Sequence, residues 1–316
     1  MGLYPKEVKE YVSVALHGIP RGPNSNIYLV DPANGSDSNQ GDRWSQPLAS
    51  VAAAYANCTT NQHDVVLFIG GQTADNPTSA ITWAKNHTHL IGLTAPLPGM
   101  GQRCRIVNAA ANDLAMLFTL SGAGCIVKNI QFFDGKDKDE DAACVLVSGS
   151  RNYLENVFVA GMGHATPAAR AGSYSLKVSG AENALRDCTI GLDTILRAAA
   201  NAELIVSGAR NRFIHCDIRS YCETAGKFLV KIDNSGDDLR DIIFEDALFF
   251  NYTVNWANGI DNVFDMPAGG NTHYVILRGN CQVVGVNSGW ADVVTHIYGA
   301  GPAPNAGFGI STNPTT

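Results

Sequence analysis

Val145-Leu-Val-Ser-Gly, Leu176-Lys-Val-Ser-Gly and Leu204-Ile-Val-Ser-Gly are three copies of one phrase, a short apolar run closed by a small-residue turn. Each leads, a few residues later, to a polar residue followed by alternating apolar ones: Asn156-Val-Phe-Val, Asp187-Cys-Thr-Ile and His215-Cys-Asp-Ile. Outward from these, Leu117-Phe-Thr-Leu-Ser-Gly with Asn129-Ile-Gln-Phe stands before. Leu229-Val-Lys-Ile with Asp241-Ile-Ile-Phe, then Val263-Phe-Asp-Met with Tyr274-Val-Ile-Leu, stand after. Successive copies lie about 26 to 33 residues apart, the spacing of a solenoid. Strand-type alternation with no helical stretch between copies makes the solenoid all-β, a β-helix.

Stacking places equivalent side chains of successive turns about 4.8 Å apart, so each turn buries its apolar face on the next. Two interior columns are therefore expected, from the pairs Ile130 and Phe132, Val157 and Val159, Cys188 and Ile190, Cys216 and Ile218, Ile242 and Phe244, and Val275 and Leu277. The polar residue before each pair, Asn129, Asn156, Asp187, His215 or Asp241, falls where a corner bends. From His63 onward Val65-Val-Leu-Phe-Ile, Ile81 to Trp83, His89 to Leu93 and Arg105 to Val107 continue the pattern toward the N-terminus. About nine or ten turns fit between residues 63 and 298, a rod about 45 Å long. Insertions break the period at Asp134-Gly-Lys-Asp-Lys-Asp-Glu-Asp and at Gly161-Met-Gly-His-Ala-Thr-Pro-Ala-Ala-Arg-Ala-Gly. In solenoids such insertions become flanking loops that build binding surfaces.

The 316 residues exceed an ordinary single core, but a solenoid escapes that ceiling because each turn packs only on its neighbours. Hydrophobic content of 45 %, charged content of 16 % and 32 glycines suit strands and tight turns. A net charge of −7 with no basic run argues against nucleic acid as a partner. No apolar stretch reaches the length of a membrane span, and the first 26 residues lack the pattern of a signal peptide, so synthesis in the cytoplasm is expected. The eight cysteines show no C-x-x-C spacing. Cys188 and Cys216 occupy one slot of successive repeats and read as stacked buried thiols.

Residues 1–26 stand apart. Pro5 opens a helical turn, and Tyr4, Val8, Tyr11, Val12 and Leu16 give a short amphipathic leader helix one apolar stripe, either for docking on a partner or for folding back on its own rod. Gly18-Ile-Pro-Arg-Gly-Pro-Asn breaks the helix and makes a linker. Next comes Ile27-Tyr-Leu-Val-Asp-Pro-Ala-Asn-Gly-Ser-Asp-Ser-Asn-Gln-Gly-Asp, then Trp44-Ser-Gln-Pro-Leu and an alanine-rich stretch to Ala56. This segment resembles the opening of right-handed parallel β-helix proteins of the pectate-lyase-like superfamily. The resemblance implies a single-stranded right-handed parallel β-helix whose open end is closed by an N-terminal capping helix over Pro47 to Ala56. It divides the chain into a leader and linker (1–26), a first strand and cap (27–62), the β-helix (63–298) and a flexible tail (299–316).

Many proteins of this fold cleave acidic polysaccharides, so the residues are weighed for that chemistry. A hydrolase needs two carboxyl groups flanking the scissile bond, and a lyase needs converging carboxylates for a cation plus a base. The hydrolase signatures of the fold are absent, with Gly163-His164-Ala165 a partial echo in a glycine-rich insertion. Asp137, Asp139 and Asp141, with Glu140, form an acidic cluster that could hold calcium, against which stand the interleaved lysines and the missing glycine turn; a solvated loop is the plainer reading. His164, Asp137, Asp139 and Asp141 are therefore the glycan or cation candidates. Asp31, Asp37 and Asp42 sit in a loop where acidic side chains bond their own backbone, and Asp241 with Arg240 reads as a turn residue and a local ion pair. His87 and His89 alternate as on a strand, with no third metal ligand evident. No nucleotide or cofactor motif is present, and no cofactor is expected.

The plan of leader, cap, rod and tail resembles bacteriophage virion proteins in which β-helices serve as decorations, spikes or tail parts, often as homotrimers. The expectation is a structural rod on a virion, made in the host cytoplasm and attached to other virion proteins through its termini. The alternatives are a polysaccharide lyase or glycoside hydrolase, and a non-catalytic binder of cell-surface glycan.

Overall fold

A computed structural model describes residues 18–95, 104–198, 201–224, 227–233, 239–253, 259–267, 274–291 and 297–299. The leader positions Tyr4, Val8, Tyr11, Val12 and Leu16, and the tail from 300 onward, lie outside the described residues.

The chain coils through three parallel sheets. The first stacks Ile27–Val30, Val65–Ile69, His89–Leu93, Ile126–Lys128, Tyr153–Glu155, Ala184–Arg186, Arg212–Ile214, Ile242–Glu245, Val275–Arg278 and Ile297–Gly299. The second stacks Arg105–Asn108, Gln131–Asp134, Phe158–Ala160, Thr189–Ile190, Asp217–Cys222, Leu248–Tyr252 and Gln282–Val284, with Leu196–Arg197 added beside Asp217–Cys222. The third stacks Ile81–Trp83, Met116–Leu120, Ala143–Val147, Tyr174–Val178, Ala202–Val206, Val230–Ile232, Ile260–Asp265 and Val286–Ala291. Reading these strands in chain order gives about 7 turns that visit all three sheets. The first sheet gains further strands because Ile27–Val30 and Val65–Ile69 precede the first full turn and Ile297–Gly299 follows the last. The nine or ten turns expected between residues 63 and 298 exceed this number, because the incomplete turns at Val65–Ile69 and Ile297–Gly299 also fall in that stretch.

The interior columns form as the alternation dictates, with one change of place. In the second sheet one column runs Ile130, Val157, Cys188, Cys216, and the other Phe132, Val159, Ile190, Ile218, all buried. The next members are Ala247 and Phe249, because Asp217 pairs with Leu248 and Ile218 with Phe249. Ile242 with Phe244 and Val275 with Leu277 are buried too, but they belong to the first sheet, where Phe244 stacks on Phe213 with ring centroids 4.7 Å apart. All sheets share one pitch, so self-similarity alone cannot say which sheet an apolar pair faces once the Ser-Gly phrase stops marking the turn.

The polar residues do mark corners. Asn129, Asn156, Asp187 and His215 sit at φ of 57°, 51°, 52° and 50°, in the left-handed region that turns the chain from the first sheet into the second. Asp246, at φ 50°, takes the fifth place. Asp241 instead follows Arg151, Glu182 and Arg210 in a column on the other edge of the first sheet, where all four also have positive φ.

From Gly122 to Asn211 that other edge, between the third and first sheets, repeats regularly. A Cβ on Gly149, Gly180 or Gly208 would strike the carbonyl oxygen of Gly122, Gly149 or Gly180 on the turn before, so only glycine lets the backbones stack there. Three residues on from each glycine, Asn152, Asn183 and Asn211 donate from Nδ2 to those same carbonyls at 3.0, 3.1 and 2.9 Å. Their Oδ1 atoms accept from the backbone N–H of Cys125, Asn152 and Asn183 at 2.8, 2.9 and 2.9 Å. The buried amides thus satisfy backbone groups that the bend removes from the sheets.

At the N-terminal end a helix over Val51–Asn57 buries Val51 and Ala54, and its Tyr55 ring stacks on Trp83 at 4.2 Å. Ser50 caps it, and the buried Asp75 accepts from Val51 N at 2.8 Å. Burial raises the Asp75 carboxyl to about 6. Asp31 accepts from Ala33 N and Asn34 N, and Asp37 from Ala49 N and Ser50 N, so these two loop acids do bond neighbouring backbone. Ile27, Leu29, Val65, Leu67 and Ile91 form a second apolar cluster, against which Ile19 of the linker packs. The linker therefore lies against its own rod. All eight cysteines are free and buried.

Candidate functional site

Between the second and third sheets the corner is irregular, and here the insertions meet. The 134–141 loop lies under the 161–172 loop, whose short helix Ala165–Ala168 is capped by His164. His164 Nδ1 lies 3.0 Å from Asp137 Oδ1, Arg170 Nη1 lies 3.1 Å from Asp139, and Arg170 Nε lies 3.9 Å from Asp141. Glu140 turns to Lys136, whose Nζ is 3.2 Å away and which is fully buried. The four candidates expected from sequence are thus brought into one neighbourhood, but the carboxylates are divided among partners, Asp137 facing His164, Asp139 and Asp141 sharing Arg170, and Glu140 facing Lys136. They do not converge on a common point, and no group of three or more His, Cys, Asp or Glu able to hold a metal occurs among the described residues.

His87 is not on a strand; it sits at φ 52° in the turn before His89. The partner of His89 is His63, with Nδ1 of His63 3.1 Å from Nε2 of His89. His89 Nδ1 accepts from Ile126 N, so Nε2 carries the ring proton and donates it to His63. Burial, reinforced by His63, holds the imidazole down at about 3.

A third insertion, residues 191–201, was hidden in the sequence because it does not lengthen the repeat. Its Arg197 is buried and donates from Nη2 to Phe228 O at 2.5 Å. Its Nη1 lies 3.9 Å from Glu203, whose other oxygen accepts from Ser175 Oγ at 2.6 Å. Burial drives the Glu203 carboxyl up to about 7, with Arg197 and Ser175 pulling the other way. Asn201 donates to the carbonyls of Ala168 and Arg170, tying the third insertion to the second.

These insertions wall one side of the second sheet's outer face, and the face differs along its length. Over the earlier turns Phe158, Ala160 and Leu192 are buried in a small cluster with Phe133 packed against it. Over the later turns the face is open. Three outward columns run across it in register: Asp217, Leu248, Gln282; Arg219, Phe250, Val284; and Leu196, Tyr221, Tyr252. Leu196 is 42 % and Tyr252 43 % exposed, and the rings of Tyr221 and Tyr252 meet edge to face at 5.1 Å. Arg219 lies over the Phe250 ring at 5.5 Å and is gripped by Asp217 at 3.0 Å and by Asp193 of the third insertion at 3.3 Å. Burial and then the nearby Glu223 carboxylate raise the Tyr221 phenol. Aromatic rings, one clamped guanidinium and two carboxylates on an exposed stripe are what a polar ligand with apolar edges requires.

No described protein family matches the sequence, and no curated protein matches it. Solved structures do. A pectin methylesterase in complex with a hexasaccharide superposes with TM-score 0.53 at 15 % identity, covering 86 % of this chain and 80 % of that one. The Escherichia coli protein ybhc gives 0.52 at 12 % identity over 89 % and 81 %, and pectin methylesterase PemA from Erwinia chrysanthemi 0.51 at 15 % over 86 % and 80 %. The chain is a right-handed parallel β-helix. At such identities the likeness is one of fold. Nothing in these comparisons bears on a virion role.

Sequence reasoning missed the open face because its residues lie inside the repeats. The signal was present in Leu248-Phe-Phe-Asn-Tyr, where Phe250 and Tyr252 fall at positions that point outward once Phe249 points in. A strand apolar on both faces either is covered or binds something.

Proposed function

We propose that the protein is a carbohydrate-binding β-helix that takes an extended saccharide along the open half of the second sheet. The observation that carries this reading is the column in which exposed Leu196 and Tyr252 flank the half-buried Tyr221, beside the Asp193–Arg219–Asp217 clamp. Sugar C–H faces lie on aromatic rings, and hydroxyls donate to carboxylates. The rungs repeat about every 4.8 Å along the axis, so the columns offer a ladder of like contacts to a chain laid along it. The saccharide complex of a fold neighbour supports the choice of ligand class.

Affinity electrophoresis against a panel of plant and bacterial polysaccharides tests it: retardation by at least one polymer, lost in Tyr252→Ala, is expected. Retardation unchanged by Tyr252→Ala and Tyr221→Ala would place binding elsewhere. The same panel assayed for reducing ends, unsaturated sugars and released methanol separates a binder from an enzyme, and turnover would make the face an active site. A rod with this face suits a particle-mounted receptor as well as a free protein. Deleting residues 1–22 and scoring incorporation into particles separates those two.

A further inference from the structure

The open face carries an imbalance of charge that narrows its ligand. Among the described residues of the three outward columns, Arg219 is the single cation. Its Nη1 is 3.3 Å from Asp193, its Nη2 is 3.0 Å from Asp217, and its Nε is buried away from solvent without a hydrogen-bond partner. Its flat side is turned to Phe250. Both Nη atoms are therefore turned to carboxylates and the Nε is hidden, and the two carboxylates outnumber the guanidinium, so the cluster of Asp193, Asp217 and Arg219 has a net charge of −1. Glu223 adds a further negative charge beside Tyr221.

A carboxylate arriving on a sugar is an acceptor only, and here it meets acceptors that are already charged. A sugar hydroxyl arriving at the same place is a donor, and the lone pairs of Asp193 and Asp217 not taken by Arg219 can accept it. We propose that this face selects uncharged polysaccharides and rejects uronate polymers. The inference rests on the reading that the face binds saccharide, and it sets the protein apart from the pectin chemistry in the names of its fold neighbours.

The test is isothermal titration of the full chain with galactan and glucan as neutral probes and with polygalacturonate as the uronate probe. A neutral polymer should bind with an affinity that stays flat over a roughly tenfold range of salt. Polygalacturonate should bind at least about tenfold more weakly, the cost of setting like charges together. The variant carrying Asp193→Asn and Asp217→Asn releases Arg219 and should gain polygalacturonate binding that salt weakens. Asp217→Asn alone serves the same purpose if the double variant does not fold. Wild-type protein that binds polygalacturonate as tightly as the neutral polymers overturns the selectivity and leaves the face a saccharide site. Failure of wild type and variants to bind any of the three probes overturns both.

Discussion

Two corners of the same coil do opposite work. Between the third and first sheets the turns from Gly122 to Asn211 repeat one another: glycine stacks on glycine, and Asn152, Asn183 and Asn211 pass hydrogen bonds down the axis. Between the second and third sheets the chain instead carries three insertions of different length, tied to one another through Asp137, Arg170 and Asn201. A repeated corner can satisfy only itself, since each group it presents is matched by the same group on the next turn. An unrepeated corner leaves side chains with no counterpart above or below, and these wall the open face and clamp Arg219.

The largest effect should come from breaking the regular corner. Asn183→Ala leaves Asn152 N–H and Gly149 C=O buried and unpaired, at about 1–3 kcal/mol each, and should lower the urea midpoint sharply. A midpoint within error of wild type would show that water replaces the ladder.

Next comes the pH dependence of the irregular corner. The Glu203 carboxyl is raised from 4.5 to about 7, so the native state holds its proton more tightly than the unfolded chain. This group's contribution is fully present below pH 4.5 and is lost as pH rises through 7, a difference on the order of 3 kcal/mol. Glu203→Gln should flatten that part of the stability profile while leaving the slope due to Asp75. An unchanged profile would mean that Arg197 holds Glu203 ionised throughout.

Smaller still, Tyr252→Ala should leave stability within about 0.5 kcal/mol, since the ring is exposed, yet weaken saccharide binding by the roughly 0.5–1.5 kcal/mol of an aromatic contact. Loss of stability with binding intact would reverse the roles assigned to the two faces of that strand. Smallest of all, Arg170→Ala should cost less than about 0.5 kcal/mol, because its ion pairs with Asp139 and Asp141 are solvent-exposed. Thermal unfolding at two salt concentrations checks it, and a shift of several degrees would show that the insertions act as one unit.

The contrast also explains what the sequence disclosed. The period, the corner residues from Asn129 to His215 and the first four pairs of core residues were legible, because stacking imposes the same chemistry at each turn. Ser-Gly-x-x-Asn is written three times, at Ser148, Ser179 and Ser207, and the asparagine ladder could have been read from it. Asp241 and Ile242 were set in the wrong column because neighbouring sheets place apolar pairs at the same pitch. The insertions were legible as irregular, whereas their partners were not: nothing in the order of residues says that Asp137 meets His164 or that Asp193 meets Arg219. Such contacts depend on which loops lie beside each other, and a repeat of unequal length does not fix that.

The aromatic residues of the core divide the rod optically. Trp83 is sealed among Tyr55 and Phe118 near the start of the coil, while Trp290 meets Phe249 at 5.7 Å and Phe264 at 6.3 Å near its finish. A solenoid held together by nearest neighbours can fray from either terminus without disturbing the other. Variants that keep Trp83 or Trp290 as the sole indole, with the chain's other three tryptophans replaced, would therefore convert the protein into a recorder of direction, reporting by fluorescence which extremity lets go first.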